Sequence, residues 1–319
     1  MNRIDLNMYN IRTDLILETL NNNEYITIEK DKGITISRVV IDDNNKDILN
    51  KKVGNYITIE FLDITNYEDR ENVGKCLEQE IKNIMKLNNI SNNDEGLIIG
   101  LGNNKSTADA LGPKTIENIL VTRHLFILNA EVKEGIRNVS AIIPGVMGNT
   151  GIETIDIING VIDKIKPKFI IVIDSLCASS VERLNKTIQI TDTGIHPGSG
   201  VGNNRKEISK NTLGIPVIAI GIPTVVDAST IVNDTINYFY EYIEKINNKK
   251  LEDNDKENLL GIIGTLKEED KISFIKEVLN NKDNNLIVTP KEIDFLIDLF
   301  SDILSSSLNN SLHRQINHY

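Results

Sequence analysis

Four short, uninterrupted apolar runs lie in the middle of the chain, and they constrain its fold more than any other feature. Each run has the length of a strand, and an unbroken apolar run is typical of a strand buried on both faces of a parallel sheet. Segments with helical patterning separate the runs, so the sequence predicts an α/β fold built on a doubly wound, mostly parallel sheet. The four runs are LIIGL (97–101), VSAII (139–143), FIIVI (169–173) and PVIAI (216–220).

Helical periodicity supports this alternation. Between Tyr67 and Leu87, apolar residues recur at spacings of four, four and three, which predicts one amphipathic helix. Two more helices are expected between the strands, at Pro113–Phe126, which begins with a proline at a favourable first position, and at Gly151–Ile165. A fourth is expected at Asp227–Ile246.

The two ends of the chain differ from this central part. An N-terminal β-rich extension, about residues 25–62, holds three runs rich in Ile, Val, Thr and Tyr, which predict antiparallel strands. The C-terminal portion, about residues 250–319, is predicted to be helical. It begins with a polar stretch, Lys249–Asn258, interpreted as an exposed connection, and two helices follow near Ile272–Leu279 and Lys291–Leu308. We expect one α/β domain over residues 15–319.

Charge and composition exclude several classes of protein. The chain has 35 Lys+Arg against 46 Asp+Glu, a formal charge of −11, and it has no Lys/Arg-rich block, so a nucleic-acid partner is not expected. It offers neither the apolar core of a signal peptide near its N-terminus nor an apolar run of membrane-spanning length, so a cytosolic protein without a membrane partner is expected. Cys76 and Cys177 are far apart, which predicts neither a disulfide framework nor a zinc knuckle.

Two aspartates are the first candidates for chemistry. In open α/β sheets the functional crevice lies beyond the carboxyl ends of the strands. Asp109 lies in a glycine-bounded loop after one predicted strand, and Asp174 lies where another strand meets its loop. Two carboxylates around one water can hydrolyse an amide, one as base and the other as acid, because close like charges separate the pKa values of the pair. An aspartate at a strand end also serves as a helix cap or as a magnesium ligand.

Other patterns permit other chemistries. The Gly100–Gly102 loop invites a dinucleotide site, but Lys105 stands where a third glycine is required, and no phosphate-binding P-loop is present. Ser199 lies between glycines close to His196, although the nucleophile-elbow pattern is absent. His124 and His196 are candidate metal ligands without a recognised metal-binding spacing.

Seven longer sequence motifs, which occur in order and over nearly the whole chain, resemble those of the germination proteases of spore-forming bacteria. They are IRTDL (11–15), DALGP (109–113), LVTRHLF (120–126), PGVMGNTGIET (144–154), DTGIHPGSGVGN (192–203), IAIGIPTVVDA (218–228) and VTPKEID (288–294).

This resemblance implies a cytoplasmic endopeptidase of the forespore and spore core that starts the degradation of small acid-soluble spore proteins during germination. It also implies a zymogen, a homotetramer, no metal and no cofactor, with an α/β core similar to that of hydrogenase-maturation proteases. The family is placed among aspartic-type peptidases. The two aspartates proposed as its catalytic pair correspond, by the motifs around them, to Asp109 and Asp174 in this sequence. Residues expected to support the crevice are Asp192, His196, Gly198, Ser199, Gly200 and Arg205.

The resemblance further implies a propeptide, residues 1–14, removed by self-cleavage between Asp14 and Leu15. The matching segment, Thr13–Glu18, has Ile16 where the family usually has alanine, and a β-branched side chain there is expected to crowd a subsite and slow the cut.

Other departures lie beside the two aspartates. Ser179 stands where the family commonly has a basic residue, and Asn104 and Ala108 replace the usual Trp and Pro before Asp109. Two alternative functions therefore stay open, a homologue that binds spore proteins without cutting them and a metal-dependent hydrolase.

Overall fold

One mixed sheet runs through the protein. A computed structural model describes residues 14–20, 25–46, 51–198, 205–279 and 286–314. Within these ranges the strands are β1 (Ile26–Asp31), β2 (Ile34–Ile41), β3 (Gly54–Glu60), β4 (Gly96–Gly100), β5 (Val139–Ile142), β6 (Phe169–Ala178), β7 (Thr187–Thr191), β8 (Val217–Asp227) and β9 (Ile287–Val288).

The strand order is β1-β2-β3-β7-β8-β6-β4-β5, with β9 against β8. The four apolar runs become β4, β5, β6 and β8, which pair in parallel. The N-terminal strands continue the same sheet in antiparallel fashion, joined through β7, a strand that the sequence analysis did not predict. The predicted α/β class is confirmed.

Helices cover both faces of the sheet. In the described residues they are α1 (Tyr67–Leu87), α2 (Leu111–Glu117), α3 (Arg123–Ile127), α4 (Met147–Thr150), α5 (Thr154–Ile165), α6 (Lys210–Leu213), α7 (Ala228–Asn247), α8 (Asp253–Leu260), α9 (Ile262–Thr265), α10 (Glu268–Leu279) and α11 (Ile293–Leu312). None of these described helices is both long enough and apolar enough to span a bilayer.

Two helix predictions were wrong in detail. The expected helix at Pro113–Phe126 is divided into α2 and α3, because Thr122 leaves the helical path to pair with β5. Its backbone N–H donates to the Val139 carbonyl at 3.0 Å, and its hydroxyl accepts from the Val139 N–H at 2.9 Å. The polar connection at Lys249–Asn258 contains most of α8, whose first turn is closed by a reciprocal capping box between Glu252 and Asp255.

Alternate residues of the central strands pack on opposite faces. Ile171 and Ile173 of β6 belong to the core covered by α1, α2 and α11, whereas Ile170 and Val172 belong to the core that also contains Ile158 of α5. This alternation is the two-residue period of a strand.

Strands β6 and β8 continue past the predicted apolar runs, because their parallel pairing extends as far as Ala178 and Val226. Asp174 therefore lies inside β6 rather than at the end of a strand, which corrects the sequence-based placement. The strand β4, which is the neighbour of β6, ends at Gly100, opposite Ile173 of β6. Because β5 lies on one side of β4 and β6 on the other, the chain reverses its winding direction between β4 and β6, where α/β sheets place their ligand crevices.

The loop after β4 is unusually tight at Gly102. This residue has a φ of +113°, and a Cβ there would lie 2.0 Å from the carbonyl oxygen of Asp109. The same carbonyl accepts a hydrogen bond from the Asn103 N–H at 2.9 Å. Glycine at this position therefore allows the Asp109 loop to fold back onto the strand end.

We expect Gly102→Ala to destabilise the protein more than Gly33→Ala. Gly33 also has a left-handed φ, +80°, but a Cβ there would meet nothing within 4 Å. Backbone strain alone costs about 1–3 kcal/mol, and the clash at Gly102 adds to it. Chemical denaturation of both variants measures the difference. Equal losses would mean that the Asp109 loop does not require glycine.

Candidate active site

A cavity of about 410 Å³ opens at the point where the winding reverses, and it contains both candidate aspartates. Asp109 and Asp174 line it together with Arg205 and Asp14. A second cavity, of about 460 Å³, has Asp14 and His196 in its wall as well. Asp14 therefore lies between two adjoining cavities.

Asp174 is the more deeply buried of the two carboxylates, with 5% of its surface exposed. Its Oδ1 accepts a hydrogen bond from the Ser175 N–H at 2.9 Å. Burial raises the pKa of Asp174 well above its ordinary value, and the charges of Asp109 and Asp14 raise it further, against a smaller opposing effect of Arg205. This carboxyl group therefore keeps its proton at pH values where an exposed aspartate is ionised.

Asp109 is half-buried at the end of a 3-10 turn, Thr107–Asp109. The Thr224 hydroxyl of β8 donates to the Ala108 carbonyl at 2.6 Å and fixes this turn against the sheet. Burial raises the pKa of Asp109 to about 6, although the charge of Arg205 and the Asn103 N–H both lower it. Asp109 is thus the member of the pair that ionises near neutral pH.

The two environments give the pair complementary roles. Near neutral pH Asp109 can accept a proton, while Asp174 can donate one, and their charges interact because each lies in a partly dehydrated cavity. Ser175 also lines the cavity, and its buried hydroxyl has no hydrogen-bond partner among the described residues.

The remaining predicted site residues fall in three groups. His196, Gly198 and Arg205 line the cavity, with His196 Nε2 3.1 Å from Lys52 Nζ. Asp192 does not line it. Its carboxylate instead accepts hydrogen bonds from Asn55 of β3 and from Asn88, next to the end of α1, and so ties its loop to the sheet. Ser199 and Gly200 lie outside the described residues.

The segment Asp14–Glu18 lies against the sheet beside the aspartates. Asp14 Oδ2 accepts a hydrogen bond from the Cys177 N–H of β6 at 2.9 Å. Leu15 and Ile16 are 1% and 2% exposed. Ile16 packs against Val39, Ile41 and Tyr56, so the described fold accommodates its β-branched side chain. Residues 1–13 of the predicted propeptide lie outside the described residues.

Ser179 stands where the family commonly has a basic residue, and it forms hydrogen bonds to the end of this segment. Its N–H and its hydroxyl both donate to Glu18 Oε2, at 2.8 and 2.9 Å. Arg183 Nε lies 3.8 Å from the other carboxylate oxygen. The side chain of Glu18 is 4% exposed and is therefore bound in a polar recess of the protein.

Two contributors to this region escaped the sequence analysis, Thr224 and Gln189. Thr224 is a polar residue inside an otherwise apolar stretch of β8, and that interruption was the available signal. Gln189 lies in β7, where polar and apolar residues alternate, so its position carried no such signal. Thr224 fixes the Asp109 turn, and Gln189 of β7 forms hydrogen bonds to the backbone on both sides of Leu15.

Other candidate chemistries have little support in the described residues. No three His, Cys, Asp or Glu side chains among them lie close enough to hold a metal ion together. His124 is exposed on α3 and is not among the residues that line either cavity. Burial raises the pKa of Cys177 to about 12, which keeps its thiol protonated and unreactive.

Comparison with known proteins identifies the family. The family model described as germination protease matches residues 12–252 and 244–319. The chain belongs to the germination protease family. It is 45% identical to the germination protease of Geobacillus sp. (strain WCH70) over 362 aligned residues, which cover 99% of this chain and 97% of the relative. The germination protease of Bacillus subtilis (strain 168) is also 45% identical, with 98% and 96% covered.

Family membership makes this chain a protease with protein substrates. Among solved structures, the nickel–iron hydrogenase maturation protease HycI from Thermococcus kodakarensis KOD1 matches 45% of this chain and 80% of its own, at 20% identity and a TM-score of 0.29.

We expect Asp174→Asn to stabilise the protein more at pH 7 than at pH 4. Because the folded-state pKa of Asp174 is raised, its contribution to stability is greatest below the unfolded pKa of about 4 and is lost as pH rises. Asparagine is neutral and of the same size, so it removes this loss. Melting temperatures at the two pH values measure the effect.

Asp163→Asn, which replaces an exposed carboxylate on α5, is the matched control for the same substitution away from the cavity. An Asp174→Asn shift that does not grow with pH would contradict the assignment of a protonated, buried carboxyl group.

Proposed function

We propose that this protease is an aspartic-type endopeptidase that initiates degradation of small acid-soluble spore proteins during germination, with Asp109 and Asp174 as its catalytic pair. One observation carries the proposal: both carboxylates line a single cavity, and burial raises both of their pKa values. The family assignment supplies the class of reaction, and the cavity supplies an acid and a base for it.

The proposed reaction begins with a water molecule between the two aspartates. Asp109 takes one proton from the water as the oxygen bonds to the carbonyl carbon of the substrate, and the π electron pair moves onto the carbonyl oxygen. Asp174 then gives its proton to the amide nitrogen, the oxyanion's electron pair re-forms the carbonyl, and the C–N bond breaks with its electron pair leaving on nitrogen. The products are a carboxylic acid and an amine, and the pair is reset when Asp109 releases a proton and Asp174 regains one from solvent.

The same site is proposed to process its own chain. Asp14 lines the cavity that holds the aspartates, and the adjoining Leu15 is buried against the sheet. A cut between Asp14 and Leu15 would remove residues 1–14 and leave a peptidase domain of residues 15–319. Zymogen processing of this kind activates a protein by proteolytic removal of a pro-segment. The homotetramer and the location in the spore core belong to this proposal through the family resemblance.

The test is intact mass spectrometry of the full chain, alone and with a small acid-soluble spore protein, at pH 6 in excess EDTA. We expect loss of residues 1–14 and discrete cleavage of the spore protein. Asp109→Asn and Asp174→Asn should each abolish both products, a loss of at least about 10²-fold for removing a proton-transfer group, while remaining folded. The exposed Asp163→Asn variant should cleave like the unchanged chain.

Other results select the alternative functions. Cleavage that disappears in EDTA and returns with zinc would indicate a metal-dependent hydrolase. Stoichiometric binding of the spore protein without any product would indicate a non-cleaving homologue. Full activity in either aspartate variant would show that the pair is wrong.

A further inference from the structure

Three residues on neighbouring strands lie in line across the sheet. In the pairing of β6 with β8, Asp174 is opposite Gly221, and in the pairing of β8 with β7, Gly221 is opposite Gln189. Residues opposite one another on paired strands present their side chains on the same face. Asp174 and Gln189 therefore flank a position that has no side chain.

The side chain of Leu176 packs directly over Gly221. A Cβ at this position would lie 2.5 Å from the side chain of Leu176, so no larger residue fits without movement. The segment that begins at Asp14 passes over this part of the sheet. Leu15 packs against Leu176, Ala178 and Val226 of β6 and β8, and Ile16 packs on β2 and β3, on the far side of β7.

Gln189 contacts the backbone on both sides of Leu15. Its Nε2 donates to the carbonyl oxygen of Asp14 at 2.8 Å, and its Oε1 accepts from the Ile16 N–H at 2.6 Å. The two backbone groups dictate the orientation of this amide, because a carbonyl can only accept and an N–H can only donate. Neither contact depends on the identity of a side chain, so another extended peptide could be held in the same way.

The first of these contacts falls on the reacting group. The Asp14 carbonyl belongs to the Asp14–Leu15 peptide bond, which is the bond that the proposed self-cleavage breaks. When water adds to this carbonyl, negative charge develops on its oxygen, and a fixed N–H donor aimed at that oxygen stabilises the transition state more than the ground state. Gln189 is 7% exposed, so little water competes for the same oxygen.

We propose that Gln189 is a further catalytic residue, the side-chain donor that stabilises the oxyanion formed at the cleaved carbonyl. This inference rests on the proposed function. Asp109 and Asp174 exchange protons with the water and the leaving nitrogen, while Gln189 Nε2 donates to the carbonyl oxygen throughout and changes neither its covalent bonds nor its charge.

The experiment compares first-order self-cleavage of the full chain in three variants by intact mass spectrometry. Gln189→Glu keeps the acceptor for the Ile16 N–H but replaces the donor with an oxygen. Gln189→Met keeps the volume and removes both groups. Thr187→Val, on the same face of β7, removes a buried hydroxyl that has no hydrogen-bond partner among the described residues, and it is the matched control. Hydrogen exchange over residues 14–20 reports whether the segment stays bound.

We expect both Gln189 variants to cleave about 10²–10³-fold more slowly, the usual loss for one oxyanion donor, with the segment still protected from exchange and Thr187→Val unchanged. Unchanged cleavage in a folded Gln189 variant would overturn the inference and leave the proposed function intact. Slow cleavage together with lost protection would assign Gln189 a structural role only. No cleavage by the unchanged chain would overturn self-processing and the inference together, whereas cleavage that is lost in both aspartate variants but unchanged in both Gln189 variants would refute the inference alone.

Discussion

The site depends on the register of three strands. Neighbouring strands lie about 4.8 Å apart, so Asp174 and Gln189, which flank Gly221 on neighbouring strands, lie about 10 Å apart across the sheet. A slip of one residue in β6 would turn Asp174 into the apolar core that contains Ile171 and Ile173. Packing of the core residues on one face of β6 therefore fixes Asp174 on the opposite face, because successive side chains of a strand point to alternate faces.

Burial then decides how the two carboxylates differ. Asp174 is enclosed within the sheet, whereas Asp109 lies on a turn that follows β4. The charge of Arg205 is the main effect that lowers the pKa of Asp109, and it is only a small effect on the pKa of Asp174. Both groups have raised pKa values, but the more enclosed one holds its proton to higher pH. One sheet position and one loop position are thus enough to separate the pKa values of two neighbouring carboxyl groups.

The segment Asp14–Glu18 is bound along the sheet beside the two aspartates. It is held by contacts of two kinds, backbone hydrogen bonds from Gln189 and recesses for the side chains of Leu15 and Glu18. The first kind would hold any extended peptide, and the second selects among sequences. Of this segment, Asp14 lines the cavity that contains Asp109 and Asp174, and the Asp14 carbonyl is bound by Gln189.

Strand and helix patterns in the sequence were sufficient for the α/β class, for α1 and for the four parallel strands, because unbroken apolar runs and a 3.6-residue period are local properties. Family motifs predicted Asp109 and Asp174 as the catalytic pair, and the fold places both beside one cavity. The sequence could not place Asp174 inside β6, divide the helix at Thr122 or reveal Gln189, because each of these depends on hydrogen bonds to residues distant in the chain. The sequence determined which side chains are available, and tertiary pairing alone decided which of them meet, since strand register and burial arise only when distant segments pack together.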